Sequence, residues 1–429
     1  MNDSQKVKDS SNDTGLPLQA PLYCGVPTGE RKSSMSKSVF IISASRTAIG
    51  SFQGMFQKTT SVELGVATVK ASIQRAGLQD RLDLVDEVNM GCIYQAGQGQ
   101  GVSRQISLHS GIPKSVPAVT TNLLCGSGLF SVIQSIRAIR TGDARLCVAG
   151  GTENMTQTPF LLTRAREGYR LGHNEVYDSL LKDGLTDVFN DYHMGITAEN
   201  LAEKYSISRE EQDAYALKSQ NRAQTAIEAG LFQDEIVGVS VKNRGQIQIH
   251  EKDEYPRFNC DLPSLQKLKP AFRKDGTVTA GNASGINDGA ASVIVCDEEM
   301  LNIIGVEPLA RVTGWGVSGC DPSIMGIGPV EAVRKTLKMS GSGLQDIDLI
   351  EANEAFAAQT LAVSRELGWD SERVNVNGGA IALGHPVGAS GARILVTLLH
   401  EMRRRNSKTG IATLCVGGGM GVAMQVERG

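Results

Sequence analysis

The fold of this chain is constrained most strongly by an internal repeat. Three pairs of short segments match in the same order along the 429 residues: 75–80 with 342–346, 125–128 with 388–391, and 148–151 with 416–419. The offsets are nearly equal, since Gly77 and Gly343 are 266 positions apart and Cys125 and Gly388 are 263 apart. Matches in one order at nearly one offset predict a duplicated unit, here of about 120 residues.

Each copy of the repeat reads as helix, strand, glycine turn, helix and strand, which predicts an α/β fold with a mixed sheet. A more polar region, 159–279, lies between the copies. It contains a predicted helix, 208–230, which opens with Ser208 and Glu211 as a capping box. We interpret this region as an insertion that forms a lid or holds a substrate.

The composition excludes several classes of partner. The chain has 43 basic and 46 acidic side chains and a formal net charge of −3. Proteins that bind nucleic acid or anionic membranes carry surplus positive charge, so neither function is expected. No apolar run reaches the roughly 20 residues that a membrane-spanning helix needs. The eight cysteines include no CxxC pair, so no zinc ribbon is expected.

Residues 1–37 are predicted to form a disordered tail, because they are polar and show no apolar period. The tail carries five basic and four acidic side chains, whereas a mitochondrial presequence is basic and poor in acids. No secretory signal is recognisable at the start, so the cysteines are expected to stay reduced. We therefore expect a cytoplasmic protein, with a mitochondrial location as the alternative.

Cys125 is a candidate nucleophile. It opens the run CGSG, and apolar residues follow at the spacing of one helix face, at 129, 132, 133, 136 and 139. Free N–H groups and the helix dipole at such a position favour a thiolate, so the pKa of Cys125 is expected to be lowered. A buried structural cysteine explains this segment equally well when it is taken alone.

His385 is a candidate general base. It lies in a glycine-rich loop before a helix that is predicted to start near Ser390, and Pro386 fixes the backbone beside it. A histidine in such a loop is a better candidate for proton transfer than one on a helix face, such as His400.

Two further segments carry polar or reactive groups. Cys415 ends a predicted strand and precedes three glycines, whose N–H groups can bind an oxyanion. A tight hairpin with a core cysteine is the preferred interpretation of that segment taken alone. Glu351, Asn353 and Glu354 follow another predicted strand and indicate either a polar site or a solvated helix cap.

Together these four segments resemble the motifs of the thiolase family: CGSG at 125–128, NEAF at 353–356, GHP at 384–386, and Cys415 followed by glycines. The resemblance covers residues 38–428. It implies the thiolase fold, in which a βαβαβαββ unit occurs twice in a layered α/β/α/β/α arrangement, with an inserted loop domain. The implied domains are a first half of 38–158 and 280–308, a CoA-holding loop domain of 159–279, and a second half of 309–429.

The resemblance also implies the role of each reactive residue. Cys125 would be the nucleophile that takes the acyl group from an acyl-CoA thioester, and His385 would accept its proton. Cys415 would remove a proton from the methyl group of acetyl-CoA. His385 and a water held by Asn353 would stabilise the enolate, and the backbone N–H groups of Cys125 and Gly417 would stabilise the tetrahedral intermediate.

Two runs, 191–195 and 282–289, resemble the short-chain branch that forms acetoacetyl-CoA. The positions that contact CoA in that branch correspond here to Leu185, His193, Met194, Arg257, Ser264, Phe272, Ala280, Ser284 and Phe356. The run 323–329 resembles cytosolic and bacterial biosynthetic enzymes. It lacks the Phe-Pro pair of the potassium-activated mitochondrial branch, which argues against potassium activation and against use of 2-methylacetoacetyl-CoA.

The activity implied by the resemblance is that of an acetyl-CoA C-acetyltransferase. It would condense two acetyl-CoA into acetoacetyl-CoA and CoA by a reversible ping-pong reaction through an acyl-cysteine. No metal or redox cofactor is implied, and most members of the family are homotetramers.

Two alternatives stay open. The first is a degradative 3-ketoacyl-CoA thiolase with longer-chain substrates. The second is a non-catalytic, acyl-CoA-binding member of the fold, which should have lost Cys125, His385 or Cys415, although all three are present. Ketoacyl synthases share the fold, but Cys415 argues against them.

Overall fold

The computed structural model describes residues 37–243 and 245–429, so the predicted tail lies outside the described residues except for Lys37. The strands are, in chain order, β1 (Val39–Thr47), β2 (Gly50–Ser51), β3 (Glu87–Gly91), β4 (Ala118–Thr121), β5 (Leu146–Asn154), β6 (Phe160–Leu161), β7 (Tyr177–Asp178), β8 (Thr186–Asp187), β9 (Tyr192–His193), β10 (Ile236–Val237), β11 (Val239–Asn243), β12 (Gln246–His250), β13 (Asn287–Asp297), β14 (Ala310–Gly319), β15 (Leu349–Ala352), β16 (Thr409–Val416) and β17 (Met420–Glu427).

The α-helices are α1 (Ser61–Arg75), α2 (Val102–His109), α3 (Ser127–Thr141), α4 (Met194–Lys204), α5 (Arg209–Glu228), α6 (Leu262–Gln266), α7 (Glu298–Ile304), α8 (Gly328–Ser340), α9 (Ala357–Leu367), α10 (Ala380–Leu383) and α11 (Val387–Arg405). The structure also contains 3₁₀ helices at Leu82–Leu84, Pro322–Ile327 and Leu344–Asp346, and a π-helical turn at Leu181–Leu185. None of these helices is both long and apolar enough to cross a membrane.

The large sheet repeats one strand order in its two halves. The first half has the order β4-β3-β5-β13-β1, and the second half has β15-β16-β17-β14. The pairs β3–β5 and β15–β16 are parallel, whereas the pairs that follow them in each half are antiparallel. The place of β4 is taken in the second half by Val374, which forms a parallel bridge with Ile350. The repeated topology confirms the predicted duplication.

Helices α3 and α11 form the middle layer of the fold. They pack on each other and on strands of both halves, while α1 covers the outer face of the first half and α8 that of the second. Successive side chains of β1 point to opposite faces of the sheet, so they show which layer lies on each face. Ile41 lies in the central core with Leu129 of α3 and Leu395 of α11, whereas Ile42 lies in the outer core with Val69 of α1. The layered α/β/α/β/α arrangement is confirmed.

The crossing of α3 and α11 requires glycine on both helices. A Cβ atom on Gly128 would lie 2.8 Å from the backbone N of Ala392, and one on Gly391 would lie 2.5 Å from the backbone N of Leu129. Positions 128 and 391 are 263 apart, as are 129 and 392, so the contact is symmetric between the copies. The match of 125–128 with 388–391 therefore has a structural cause.

The other two sequence matches pair positions that are not equivalent in the structure. The segment 148–151 lies within β5, whereas Val416 ends β16 and the glycines after it form a turn. Gly77 follows α1 with a φ of +66°, and its structural counterpart is Gly341, which follows α8 with a φ of +75°. These alignments were wrong because short glycine motifs recur wherever a chain turns or packs closely.

The polar region between the copies contacts both halves of the fold, since β10 pairs with β1 of the first half while its helices pack on the second. Its longest helix, α5, begins as predicted after Ser208, whose hydroxyl accepts the N–H of Glu211 while the Glu211 carboxylate accepts the N–H of Ser208. Helix α5 packs on α9 and α10, and α4 packs on α9 and on the 3₁₀ helix Pro322–Ile327. The insertion thus lies against the segments that carry Asn353 and His385.

Candidate active site

One cavity of about 520 Å³ collects most of the predicted site residues. Its wall includes the three predicted reactive side chains, Gly417 and eight of the nine predicted CoA contacts: Cys125, His385, Cys415, Gly417, Leu185, His193, Met194, Arg257, Phe272, Ala280, Ser284 and Phe356. A larger and more open groove beside Lys70 and His109 contains none of them. The smaller cavity is therefore the candidate active site.

Cys125 is carried by a strained turn before α3. Leu124 has a φ of +46°, a conformation that is uncommon for residues other than glycine. The side chain of Asn122 accepts the N–H of Leu124 at 3.0 Å, and the hydroxyl of Ser127 accepts the N–H of Leu123 at 2.8 Å. Backbone strain of this kind, held by surrounding hydrogen bonds, clusters at functional sites.

The predicted lowering of the pKa of Cys125 is wrong for this structure. Burial raises the pKa of the thiol to about 11, although the backbone N–H groups of Gly417 and Cys125 itself lower it, and the negative charge of Glu153 raises it further. Helix α3 begins at Ser127, two residues after Cys125, so the helix terminus is farther away than the sequence indicated. The resting nucleophile is a neutral thiol, which must lose its proton as it attacks.

His385 is buried and neutral. Its Nδ1 lies 2.6 Å from the hydroxyl of Ser390, which donates to the carbonyl oxygen of Pro386 at 3.0 Å. This pattern assigns the ring proton to Nδ1 and leaves Nε2 as the basic nitrogen. Burial, and then the positive charge of Arg393, lower the pKa of His385 to about 3. The Nε2 atom is therefore free to accept a proton at physiological pH.

Cys415 and Gly417 lie at the turn of the β16–β17 hairpin. Gly418 and Gly419 adopt φ values of +76° and +82°, which favour glycine. Burial raises the pKa of Cys415 well above its ordinary value. The hairpin predicted from the glycines is confirmed, and its turn directs the N–H of Gly417 at the sulfur of Cys125.

Asn353 lies behind His385 rather than in the cavity wall. Its side chain is 1% exposed, and its Nδ2 lies 3.4 Å from His385 Nε2. Its Oδ1 is buried and has no hydrogen-bond partner among the described residues. Buried polar groups are almost always satisfied by protein or by ordered water. The amide oxygen of Asn353 is thus placed to accept a hydrogen bond from a water molecule.

The remaining wall of the cavity is mainly apolar. The rings of His193 and Phe272 stack at 4.6 Å, and Phe272 meets Phe356 edge to face at 6.1 Å. His193 also caps α4, because its Nδ1 accepts the N–H of Gly195 at 3.0 Å. Arg257 is the exposed cation of this wall, and guanidinium groups bind phosphate well.

Ser264 does not line the cavity. It lies in the first turn of α6, where its hydroxyl donates to the carbonyl oxygen of Asp261 at 2.7 Å and its N–H donates to the Asp261 carboxylate at 2.9 Å. Its role as a CoA contact stays a prediction without support from the cavity.

Several residues of the cavity wall were missed by sequence reasoning, namely Met155, Tyr255, Ile286, Met325 and Val387. Three of them stood in or beside recognised signals, since Ile286 lies in the run 282–289, Met325 lies in the run 323–329 and Val387 follows His385-Pro386. The solvated-cap interpretation of 351–354 was wrong, because Glu351 and Glu354 are both buried.

The arrangement suits acyl transfer. A thiol, a neutral imidazole and a second thiol share one cavity, and backbone N–H groups face the first sulfur. Such groups can attack a carbonyl, move its protons and stabilise an oxyanion. Among the described residues no group of three or more His, Cys, Asp or Glu side chains could hold a metal ion.

The sequence profiles of known families match both halves of the chain. The profile of the thiolase N-terminal domain matches residues 39–299, and that of the thiolase C-terminal domain matches residues 306–428. The chain belongs to the thiolase family. The family resemblance and the thiolase fold predicted from the four motifs are thereby confirmed.

Relatives of this thiolase extend over nearly its whole length. Acetyl-CoA acetyltransferases of Pseudomonas aeruginosa and Escherichia coli are each 54% identical over 393 residues, covering 91% of this chain and 100% and 99% of those proteins. The crystal structure of the Bacillus anthracis acetyl-CoA acetyltransferase superposes with a TM-score of 0.89 at 46% identity, covering 91% of this chain and 99% of that one. The crystal structure of human mitochondrial 3-ketoacyl-CoA thiolase in complex with CoA superposes with a TM-score of 0.87 at 44% identity. This match covers 92% of this chain and 98% of that one.

Proposed function

We propose that this thiolase is an acetyl-CoA C-acetyltransferase that condenses two acetyl-CoA into acetoacetyl-CoA and CoA, and catalyses the reverse thiolysis. The observation that carries the proposal is the meeting of Cys125, His385 and Cys415 in one cavity. Relatives that are 54% identical and are named acetyl-CoA acetyltransferases support the choice of substrate.

In the first half-reaction, Cys125 attacks the thioester carbonyl of acetyl-CoA. Because its pKa is raised to about 11, the proton moves to Nε2 of His385 during the attack rather than before it. The N–H groups of Cys125 and Gly417 stabilise the tetrahedral oxyanion. The imidazolium then protonates the departing CoA thiolate, and the acetyl group stays on Cys125.

In the second half-reaction, the Cys415 thiol passes its proton to Nε2 of His385, and the resulting thiolate removes a proton from the methyl group of another acetyl-CoA. The raised pKa of its thiol means that its thiolate is a strong base, which suits a weakly acidic methyl group. The enolate oxygen is stabilised by the Nε2–H that His385 has gained and by a water bound to Asn353, whose Oδ1 is free for that water. The enolate carbon then attacks the acetyl group on Cys125, and the bond to the Cys125 sulfur breaks. The departing Cys125 thiolate takes the proton from Nε2 of His385, which releases acetoacetyl-CoA and restores both thiols.

The cavity wall holds the CoA part of both substrates. Arg257 binds phosphate, and Leu185, Met194, Phe272 and Phe356 enclose the pantetheine. His193, Ala280 and Ser284 complete the predicted contacts within the wall, with Ser264 outside it. In this scheme the segment 159–279 acts as the CoA-holding domain between the halves 38–158 with 280–308 and 309–429.

We infer a cytoplasmic homotetramer. Exposed apolar side chains concentrate in one segment of the insertion, at Phe160, Leu162, Leu171, Val188 and Phe189, and patches of this kind mark protein interfaces. The described cysteines are all unbridged, and a reducing compartment keeps a thiol nucleophile active.

A degradative 3-ketoacyl-CoA thiolase is the second candidate, favoured by the 44% identity to the human mitochondrial enzyme. A thiolysis assay separates the two. We expect turnover of acetoacetyl-CoA, little turnover of a long-chain 3-ketoacyl-CoA or 2-methylacetoacetyl-CoA, and no dependence on potassium. Efficient thiolysis of the long-chain substrate would favour the degradative candidate. Tight CoA binding without any turnover would favour a non-catalytic member of the fold.

A further inference from the structure

Glu354 is a buried carboxylate next to Asn353 that the proposed reaction does not use. It is 1% exposed and is absent from the cavity wall. Its Oε1 accepts hydrogen bonds from the hydroxyl of Tyr215 at 3.0 Å and from Asn375 Nδ2 at 2.9 Å. Its Oε2 accepts from the hydroxyl of Ser219 at 2.7 Å and from the N–H of Ile381 at 3.2 Å. Both oxygens are therefore fully engaged by protein donors.

The four donors come from three separate segments. Tyr215 and Ser219 lie one turn apart on α5 of the insertion. Ile381 lies on α10, four residues before His385. Gly379 packs directly on the carboxylate, and its N–H donates to the Ser219 hydroxyl at 3.0 Å. Glu354 thus joins the insertion to the segment that leads into His385.

Asn353 is fixed on both sides by this network. The residue before it, Ala352, exchanges two hydrogen bonds of 2.8 Å with the side chain of Asn375, which also donates to Glu354. The N–H of Asn353 itself donates to the carbonyl oxygen of Thr413 on β16 at 2.9 Å. Hydrogen bonds to an ionised carboxylate are roughly twice as strong as neutral ones. The backbone from which the Asn353 side chain extends is therefore held in place through the Glu354 carboxylate.

We propose that Glu354 is a positioning residue for the condensation step, because it holds the Asn353 amide and its water at a fixed place beside His385 Nε2. The proposal rests on the proposed function. Since the water at Asn353 stabilises the enolate only, Glu354 should affect condensation far more than acetyl transfer to Cys125. A role in folding alone would lower both half-reactions together.

The test is the substitution Glu354→Gln, which keeps the size of the side chain. One acceptor oxygen becomes an NH₂ group that cannot accept from the donors around it. We expect the rate of Cys125 acetylation, followed by intact mass after rapid mixing with acetyl-CoA, to stay within about threefold of wild type. A displacement of about 1 Å can cost on the order of 100-fold, so we expect kcat for acetoacetyl-CoA formation to fall by that factor with little change in KM.

Glu372→Gln is the matched control. Glu372 also contacts α5, through Lys218 at 2.6 Å and Arg222 at 2.9 Å, but its side chain is 70% exposed. We expect this variant to retain both half-reactions. Equal losses of acetylation and condensation in Glu354→Gln, or unchanged condensation, would overturn the proposal.

Two weaker variants keep the test decisive if Glu354→Gln does not fold. Tyr215→Phe and Ser219→Ala each remove one donor to Glu354 and leave the carboxylate in place. We expect each variant to lower the rate of condensation more than the rate of acetylation. Equal proportional losses in the two half-reactions would refute the positioning role. The proposed function is judged separately, on whether the wild-type protein forms the acetyl-enzyme at all.

Discussion

At the scale of single residues, burial sets the protonation of the reacting groups. It raises the pKa of Cys125 to about 11 and lowers that of His385 to about 3. The resting pair is therefore a neutral thiol and a neutral imidazole, not a preformed thiolate and imidazolium. The proton transfer has to accompany the attack on the thioester, in a cavity that is largely apolar.

This assignment predicts the pH dependence of alkylation at Cys125. The thiolate is the form that reacts with iodoacetamide, and its fraction rises about tenfold per pH unit below the pKa. We expect the labelling rate of the Cys125 peptide, measured by mass spectrometry, to rise without a plateau between about pH 7 and 10. A plateau near neutral pH would mean that a thiolate–imidazolium pair exists in the resting site.

At the scale of elements, local sequence signals predicted the helix caps and turns that depend only on neighbouring residues. The capping box at Ser208 and the glycine turn after Cys415 are both present. The start of α11 was predicted three residues late, near Ser390, although the helix begins directly after Pro386. A proline is well tolerated at a helix start, and the small residues that follow it are explained by the packing of α11 on α3, which is a tertiary contact.

The crossing of these two helices gives a prediction about stability. In Gly391→Ala the new methyl group meets the backbone of Leu129, which cannot move aside, so we expect a loss of about 3 kcal/mol or more. In Gly65→Ala the methyl group meets only side-chain atoms of Ile106 and no backbone, and alanine favours the helix. Thermal melting should show a much larger decrease in Tm for Gly391→Ala. Equal shifts would show that the crossing tolerates a side chain.

At the scale of the whole molecule, the two copies of the repeat supply different parts of one site. Cys125 precedes α3 in the first copy, whereas His385 precedes α11 and Cys415 is the penultimate residue of β16 in the second. The four motifs named these reactive residues from the sequence, and the structure places all three in one cavity wall. They could not predict the raised pKa of Cys125 or the network of Glu354, because both depend on segments that are far apart in sequence.

The two thiols have separate roles, because Cys125 carries the acetyl group and Cys415 is the base for condensation. The substitution Cys415→Ser tests this assignment most directly. The control is Cys320→Ser, which removes a thiol near Cys415 that lies outside the cavity wall. Each variant is mixed with acetyl-CoA, and the acetyl group on Cys125 and the acetoacetyl-CoA formed are both measured. We predict that Cys415→Ser is acetylated on Cys125 but forms almost no acetoacetyl-CoA, while Cys320→Ser does both. Normal condensation by Cys415→Ser, or the loss of Cys125 acetylation, would contradict the account.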